Sequence, residues 1–223
     1  MGKRGATLSW THRKPEDFMP TLFYHAGACS LAPHIVLEWT QAPYEAVAVE
    51  FGSAELLAVN PAGAVPVLRE DDGWILTQAG AILHHLARKH PEADLGGGDD
   101  LRAQAELDRW SSFFTGDLHP AFFPLFTPQR YTTSRDKADR EAVQEAGRKL
   151  VRKRLALLDA HLDGRDWILG RRSVIDAYAF PMLRWAAKLL PEGTQGWANV
   201  QALHDRIAAD PAVQTVLARE EGA

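Results

Sequence analysis

The sequence predicts a protein of two domains, a small α/β domain with the element order β-α-β-β-β-α and an all-α helical bundle that follows it. Every β-prone run lies before residue 78 of the 223. Three consecutive glycines at 96–98 then mark a change of composition, after which apolar residues recur only at helical spacing. The predicted boundaries are a polar N-terminal extension over 1–20, the α/β domain over 21–92, a linker over 93–100 and the helical domain over 101–223.

The α/β domain is predicted to open with a strand, a helix and a second strand. A short β-prone run covers 21–25. Ser30 then offers an N-cap to an apolar-periodic stretch that reaches Trp39. The run over 44–49 alternates between apolar and polar residues, which is typical of a strand with one buried face.

A hairpin and a helix complete this domain. After a short polar connection over 50–59, the runs 65–69 and 74–76 flank the turn sequence Asp71-Asp72-Gly73. Such a turn favours antiparallel pairing of the two strands around it. Residues 78–90 have helical periodicity, and the helix is expected to end before Pro91.

The remainder of the chain is predicted to be helical. Helices are expected over about 101–126, about 134–162 and 173–190, with two shorter helices after them. One face of the second helix carries the apolar residues Leu150, Val151, Leu155, Leu158 and Leu162. Such a stripe indicates packing against neighbouring helices.

Composition and charge exclude several classes of protein. Apolar residues make up 46% of the chain and charged residues 24%, and the net charge of −4 arises from scattered side chains, so no basic surface for nucleic acid is expected. No apolar run reaches the roughly 20 residues that a membrane span needs. A single cysteine cannot form an internal disulfide, which fits a cytoplasmic location. The nine histidines have no metal-ligand spacing, so no metal is expected.

Cys29 is the first candidate for chemistry. It lies immediately before a predicted helix N-terminus, where free N–H groups and the helix dipole favour an anion. Its own thiolate, or a bound one, would be stabilised there. The alternative is a small buried apolar side chain with no chemical role.

Two segments of backbone are candidates for ligand binding. The Val65-Pro66 bond follows Asn60-Pro61-Ala62-Gly63, and a proline here is either an edge residue of the sheet or a cis peptide that exposes neighbouring N–H and C=O groups. Thr77-Gln78-Ala79 opens a helix whose first amides are able to receive a carboxylate. The alternative for that segment is a plain N-cap by the threonine.

The helical half offers three further candidates. His119 lies among phenylalanines, where it is either a packed core residue or a donor to a thiolate at Cys29. Trp185 is either core or the wall of an apolar substrate pocket. Asp176, at the third position of the helix after Ser173, is predicted to form a capping box and to serve folding.

The order of these motifs resembles a known family. The chain reads YHAGACSLAPHIVLEW, then AVNPAGAVPVL, then DDGWILTQAGAILHHLA, then LHPAFFPLF, then SVIDAYAFPMLRWA. From about residue 21 to its C-terminus it resembles bacterial beta-class glutathione transferases. The resemblance implies a thioredoxin-like fold for the α/β domain.

The resemblance also implies roles for single residues. Cys29 matches the family cysteine beside the glutathione sulfur, and His119 matches its catalytic partner from the helical domain. Val65 precedes the family's cis-proline, so Pro66 should be cis. The implied glutathione contacts are Tyr24, Cys29, Val65, Pro66, Gln78, Ala79 and, for the neighbouring subunit, Ser112. His25 and Trp185 are implied to line the site of the apolar co-substrate, and Asp176 falls on the family's folding-motif aspartate.

Several positions depart from the family pattern. Residues 50–59 form a shorter segment than is usual and contain no lysine for the glycine carboxylate of glutathione. Gln78 replaces a carboxylate, and Pro120 follows His119 where lysine is common. Fewer charges would hold the ligand, so the sequence predicts weak glutathione binding.

The resulting hypothesis is a homodimeric glutathione S-transferase that conjugates the glutathione thiolate to a small apolar electrophile, for example in detoxification. A related alternative makes Cys29 the nucleophile of glutathione-dependent thiol–disulfide exchange. Glutathione is the co-substrate and no metal is involved. The alternative is a non-enzymatic protein that keeps the fold as a binding or regulatory scaffold. The identity of the electrophile is not encoded in a recognisable pattern.

Overall fold

The computed structural model describes residues 19–222. The predicted extension 1–20 therefore lies outside the described residues except for Met19 and Pro20. The N-terminal domain consists of β1 (Thr21–Tyr24), α1 (Leu31–Thr40), β2 (Glu45–Ala48), α2 (Ala54–Val59), β3 (Val67–Arg69), β4 (Ile75–Thr77) and α3 (Ala79–Lys89). The helices that follow are α4 (Leu101–Phe113), α5 (His119–Phe126), α6 (Lys137–His161), α7 (Val174–Leu189), α8 (Ala198–Ala208) and α9 (Pro211–Glu221). This order confirms the predicted fold class.

The four strands form one mixed sheet in the order β2-β1-β3-β4. β1 pairs with β2 in parallel and with β3 antiparallel, and β3 pairs antiparallel with β4. The hairpin predicted around 71–73 is therefore confirmed. Its turn holds together because the Asp72 side chain accepts from Trp74 N–H at 2.8 Å and Gly73 adopts a φ of 87°, which glycine tolerates best.

The sheet separates two layers of side chains. Leu22 and Tyr24 of β1 belong to the large core shared with α1, α3 and α7, whereas Phe23 packs with Leu56 and Val67 on the other face. Alternate residues of a strand point to opposite faces, so β1 supplies both layers. This strand leads directly into the loop that carries Cys29.

α2 corrects the sequence prediction of a plain connection over 50–59. The helix is short, which leaves too few residues for a periodic pattern. It forms because Ser53 caps it by accepting from Leu56 N–H at 3.2 Å, while Leu56 is fully buried beneath the sheet.

The single helix predicted over 101–126 is also corrected. α4 ends at Phe113 and α5 begins at His119, with a π-helical turn over Phe114–Leu118 between them. Pro120 and Pro124 lack the N–H that an uninterrupted α-helix requires. At the junction His119 N–H donates to Phe114 C=O, five residues earlier, instead of to the carbonyl four residues earlier as in an α-helix. The turn therefore contains one extra residue, which is the π-helical pattern.

α7 is the central helix of the molecule. It packs against α1 and α3 of the N-terminal domain and against α8. Its predicted capping box is confirmed: Asp176 accepts from Ser173 N–H at 2.8 Å, and Ser173 Oγ accepts from Ile175 N–H. Asp176 also accepts from Ile168 N–H at 3.0 Å, which ties the preceding loop to the helix start.

The glycine-rich segment between the domains is anchored. Val174 N–H donates to Leu95 C=O at 3.0 Å, and Leu95 is buried. Gly97 has a φ of 78°, a conformation that favours glycine, and an added Cβ would also require a Leu169 methyl group to shift. None of the helices within 19–222 has the length and apolar content needed to cross a membrane.

Candidate active site

The loop after β1 positions Cys29. Ser30 Oγ accepts from His25 N–H at 3.1 Å and donates to His25 C=O at 3.2 Å, so the loop is closed on itself. The prediction that Ser30 caps α1 with its side chain is wrong, because the hydroxyl is committed to these two bonds. Gly27, with a φ of 73°, provides the bend within the loop.

The Cys29 thiol is half-buried and lies 3.5 Å from the carbonyl oxygen of Val65. Burial raises the pKa of this thiol to about 12, against a smaller opposing effect from hydrogen bonds donated by the amides of Cys29 and Ser30. The expectation that the helix terminus would favour a thiolate on Cys29 itself is therefore wrong, since desolvation outweighs the amides. At neutral pH Cys29 carries its proton and is a hydrogen-bond donor.

The Val65-Pro66 peptide bond is cis, as the resemblance implied. The preceding turn is shaped by Asn60, whose side chain donates to Ala64 C=O at 2.7 Å and accepts from Ala62 N–H at 3.1 Å. Backbone groups of Val65 thus stand beside the Cys29 sulfur, at the end of the sheet where α1 begins.

Gln78 occupies the junction of β4 and α3 in an unusual conformation. Its φ is 74° and its ψ is 115°, values that cost a non-glycine residue about 1–3 kcal/mol. Thr77 belongs to β4, so the alternative in which it caps α3 is wrong. The exposed Gln78 and the first amides of α3, beginning with Ala79, are thereby presented together at one edge of the site.

His119 is held by an aromatic cluster. Its Nδ1 lies 3.2 Å from the hydroxyl of Tyr178, and its ring centroid lies 5.1 Å from that of Phe123 and 5.2 Å from that of Trp185. Burial lowers the pKa of His119 to about 4, so the imidazole is neutral at pH 7. Its part in the site is that of a neutral donor or acceptor.

Tyr178 is a site residue that the sequence analysis missed. It is 2% exposed and bonds to His119. Its pKa is raised by burial and, second, by the charge that Cys29 would carry if it ionised, which places the phenol within electrostatic reach of the sulfur. The sequence offered one indication of this role, since Tyr178 lies on the same predicted helix as Trp185, two residues after Asp176.

Trp185 joins the helical domain to the Cys29 loop. Its indole N–H donates to Gly27 C=O at 2.8 Å. Its ring lies 5.4 Å from that of Phe122 and 5.1 Å from that of Phe126, centroid to centroid. An aromatic wall therefore stands next to the loop and next to His119.

Four other predicted residues have side chains that are held by other contacts or are exposed. Tyr24 is 2% exposed and packs on His34, with ring centroids 4.9 Å apart. His25 packs on the exposed Phe51 at 4.4 Å, and Ser112 lies on the exposed face of α4. Asp176 is fully buried in its capping box. Within residues 19–222 no cluster of three or more metal-ligating side chains occurs.

Comparison with known proteins identifies the family. The glutathione S-transferase N-terminal domain model matches residues 24–94, and the glutathione S-transferase C-terminal domain model matches 117–211. The chain is 41% identical over 203 residues to glutathione S-transferase GST-4.5 of Xanthomonas campestris pv. campestris. The aligned region covers 89% of this chain and 98% of that protein. The chain belongs to the glutathione S-transferase family.

Solved structures of glutathione S-transferases share its fold. A beta-class enzyme from Sphingomonas chungbukensis is 35% identical and superposes with a TM-score of 0.80 over 90% of this chain and 98% of its own. A sphingomonad glutathione S-transferase in complex with glutathione is 34% identical, with a TM-score of 0.80 over 91% of this chain and 100% of its own. The Cys29 loop, the cis-proline turn and α7 of this glutathione S-transferase all lie within the matched part of the chain.

Proposed function

We propose that this glutathione S-transferase joins the sulfur of glutathione to a small apolar electrophile at the site that contains Cys29 and His119. The observation that carries the proposal is the position of the Cys29 thiol, 3.5 Å from Val65 C=O and beside the aromatic wall of Trp185. The Val65 backbone, proposed to bind the peptide, the Cys29 thiol, proposed to bind the sulfur, and the apolar surface of Trp185 therefore lie close together. The residues proposed to act are brought together from both domains, whose boundary we place at 93–100.

The proposed binding of glutathione uses backbone more than charge. The N–H and C=O of Val65, next to cis Pro66, pair with the cysteinyl part of the tripeptide. Gln78 and the Ala79 amide receive the γ-glutamyl group at the start of α3. Because Gln78 is neutral and residues 50–59 contain no lysine, we expect weaker binding than charged contacts would give.

The site would stabilise the thiolate of glutathione by donating hydrogen bonds to it. Cys29 keeps its proton because of its raised pKa, and its S–H, which faces Val65 C=O in the free protein, is one donor once the tripeptide occupies that carbonyl. The neutral His119 supplies an N–H whose orientation is fixed by Tyr178. Each tenfold gain in thiolate over thiol corresponds to about 1.4 kcal/mol of such stabilisation.

The reaction is then a displacement or addition at carbon. The glutathione thiol releases its proton to solvent, and its sulfur forms a bond to the electrophilic carbon. In a displacement the leaving group departs with the bonding electron pair, and in an addition the π-electron pair moves to the adjacent atom, which takes up a proton from solvent. Positioning by the bound tripeptide supplies the remaining rate enhancement. Trp185, Phe126 and His25 are proposed to line the side from which the apolar electrophile enters.

Thiol–disulfide exchange through Cys29 is the second candidate activity. A thiol with a pKa near 12 has a thiolate fraction of about one in 10⁵ at pH 7, which makes it a poor attacking group. The structure therefore favours conjugation. A scaffold without activity is the less favoured alternative, because the site retains its sulfur-binding groups.

The Cys29→Ala variant separates these activities. We expect conjugation with a chlorinated aromatic substrate to fall by about tenfold, since one of several donors to the thiolate is lost. Reduction of a mixed disulfide should be absent in both the parent and the variant. A parent enzyme that reduces disulfides efficiently, and loses only that activity in Cys29→Ala, would assign the cysteine to redox chemistry instead.

Titration with glutathione tests the whole proposal. Calorimetry should detect binding with a Kd in the range of about 0.1–1 mM, typical of few charged contacts. No binding at 10 mM would contradict an enzymatic role.

The proposed homodimer, in which the exposed Ser112 faces the neighbouring subunit, requires a dimeric mass by light scattering. A cytoplasmic location is part of the same proposal.

A further inference from the structure

Helix α9 carries a buried carboxylate beneath the Cys29 loop. Glu220 is 5% exposed, although glutamate is almost never buried without partners. Both of its oxygens bond to the N-terminal domain. Oε2 accepts from Gly27 N–H at 3.1 Å, and Oε1 lies 2.9 Å from Nδ1 of His34 on α1.

The neighbouring arginine and the carboxylate indicate which tautomer His34 adopts. Arg219 Nη1 lies 3.5 Å from His34 Nε2, and a guanidinium donates only, so Nε2 is the accepting nitrogen. Nδ1 then carries the hydrogen and donates to Glu220. His34 is fully buried and its ring packs on Tyr24, which fixes its orientation.

Both backbone polar groups of Gly27, its N–H and its C=O, are bonded to the helical domain. Its N–H donates to Glu220 of α9, and its C=O accepts from the Trp185 indole of α7 at 2.8 Å. Gly27 precedes Cys29 by two residues in a loop whose other bonds lie within the loop or reach Val49 C=O and Val65 C=O of the N-terminal domain. Among the described residues, the hydrogen bonds that join this loop to the helical domain are the two at Gly27. The place of the sulfur relative to His119 therefore depends on contacts from helices distant in sequence.

We propose that Glu220 is a positioning residue of the active site, which acts through Gly27 to set the position of Cys29. The expected effect on conjugation rests on the proposed function. The expected effect on the position of the loop rests on the hydrogen-bond geometry alone. A carboxylate is required because both partners are donors. Glutamine has one accepting oxygen, so its amide group would face either the Gly27 N–H or the His34 N–H.

The test compares Glu220→Gln with Val213→Ala. Val213 is fully buried on the same helix, about two turns away, and makes none of these polar contacts. Its truncation weakens the packing of α9 without touching the acceptors at Gly27. Both variants are measured for thermal stability, for steady-state conjugation, and for the rate at which iodoacetamide alkylates Cys29 in the absence of glutathione.

We expect Glu220→Gln to alkylate several-fold faster than the parent, because the loop opens and the thiol is less desolvated. We also expect its kcat/KM for glutathione to fall by about tenfold, in line with the loss of a buried, charge-assisted hydrogen bond. Val213→Ala should keep both values within about twofold of the parent, even where it lowers the melting temperature as much. Parent-like values for Glu220→Gln, or equal changes in the two variants, would overturn the proposal.

A measurement on the unaltered protein guards against a variant that fails to fold. The Gly27 amide should exchange with solvent much more slowly than that of the neighbouring Ala26, which is exposed and has no acceptor among the described residues. Equal exchange at the two positions would overturn the proposal. Alkylation and exchange do not involve glutathione, so their failure is distinct from a failure of the proposed function.

Discussion

At the scale of single residues, the protonation states of the site are set by burial. Cys29 and His119 are both titratable and both partly buried, and in each case the cost of desolvating the charge favours the neutral form. Neighbouring amides or a helix terminus would change this only if their effect exceeded the cost of desolvating a charge. The site is therefore assembled from neutral hydrogen-bond donors.

The first prediction at this scale concerns His119 and acid stability. Its folded pKa of about 4 lies below the unfolded value of 6.5, so the unfolded state takes up a proton that the folded state refuses between these two values. Its contribution to stability is present above pH 6.5 and is lost as the pH falls towards 4. Between pH 7.5 and 4.5 we expect the free energy of unfolding to fall by about 2.5 kcal/mol from this group.

Urea titrations at the two pH values provide the measurement. His119→Phe, which fits the same aromatic cluster, should show a smaller loss between pH 7.5 and 4.5 by that amount. An identical loss in parent and variant would show that His119 is not the group responsible.

The second prediction concerns Tyr178. Tyr178→Phe removes the hydroxyl that fixes His119 and leaves its Nδ1 without a partner in a buried position. We expect kcat/KM to fall by about fivefold to tenfold and the pKa of bound glutathione, read from thiolate absorbance, to rise. The matched control is Tyr131→Phe, whose side chain is exposed, and it should behave as the parent. A parent-like thiolate pKa in Tyr178→Phe would remove the phenol from the site.

At the scale of elements, the helix N-termini differ in whether a side chain caps them. α7 begins with a complete capping box that also secures the Ile168 amide. α1 begins without a side-chain cap, and α3 begins at a strained Gln78. α6 and α8 also begin without a bond from their own N-cap side chain, but the termini of α1 and α3 lie next to the proposed ligand, where free amides have a use.

The prediction at this scale is a stability loss in Asp176→Asn. The carboxylate accepts from Ser173 N–H, Ser173 Oγ and Ile168 N–H, and an amide in its place turns one acceptor into a donor that faces a donor. We expect the free energy of unfolding at pH 7.5 to fall by about 1–3 kcal/mol. Asp163→Asn, at an exposed position, should be neutral in the same denaturant titration. Equal stability of the two variants would contradict the structural role of the box.

At the scale of the whole molecule, the two domains share one core. The large cluster of buried side chains contains Leu22 and Ile35 from the N-terminal domain together with Phe122 and Phe180 from the helical domain. α1 packs directly on α7 and α9. Separating the domains would therefore expose apolar surface on both.

The prediction that follows is cooperative unfolding in a single transition. Tryptophans occur in both domains, at Trp39 and Trp74 and again at Trp110 and Trp185, so fluorescence reports on each. Fluorescence and far-UV circular dichroism should give coincident curves in urea. Two separated transitions would show that the shared core does not couple the domains.

The sequence by itself determined the fold class, the hairpin, the capping box at Ser173 and Asp176 and, through its motifs, the family, whereas it missed α2 and the break between α4 and α5. These features depend on local periodicity and on turn and cap residues, which act over a few positions. The tertiary structure alone decided the rest: the thiol form of Cys29, the neutral His119, the role of Tyr178, and the hold of Glu220 and Trp185 on Gly27. Those properties arise from desolvation and from contacts between residues up to 193 positions apart, which no local pattern encodes.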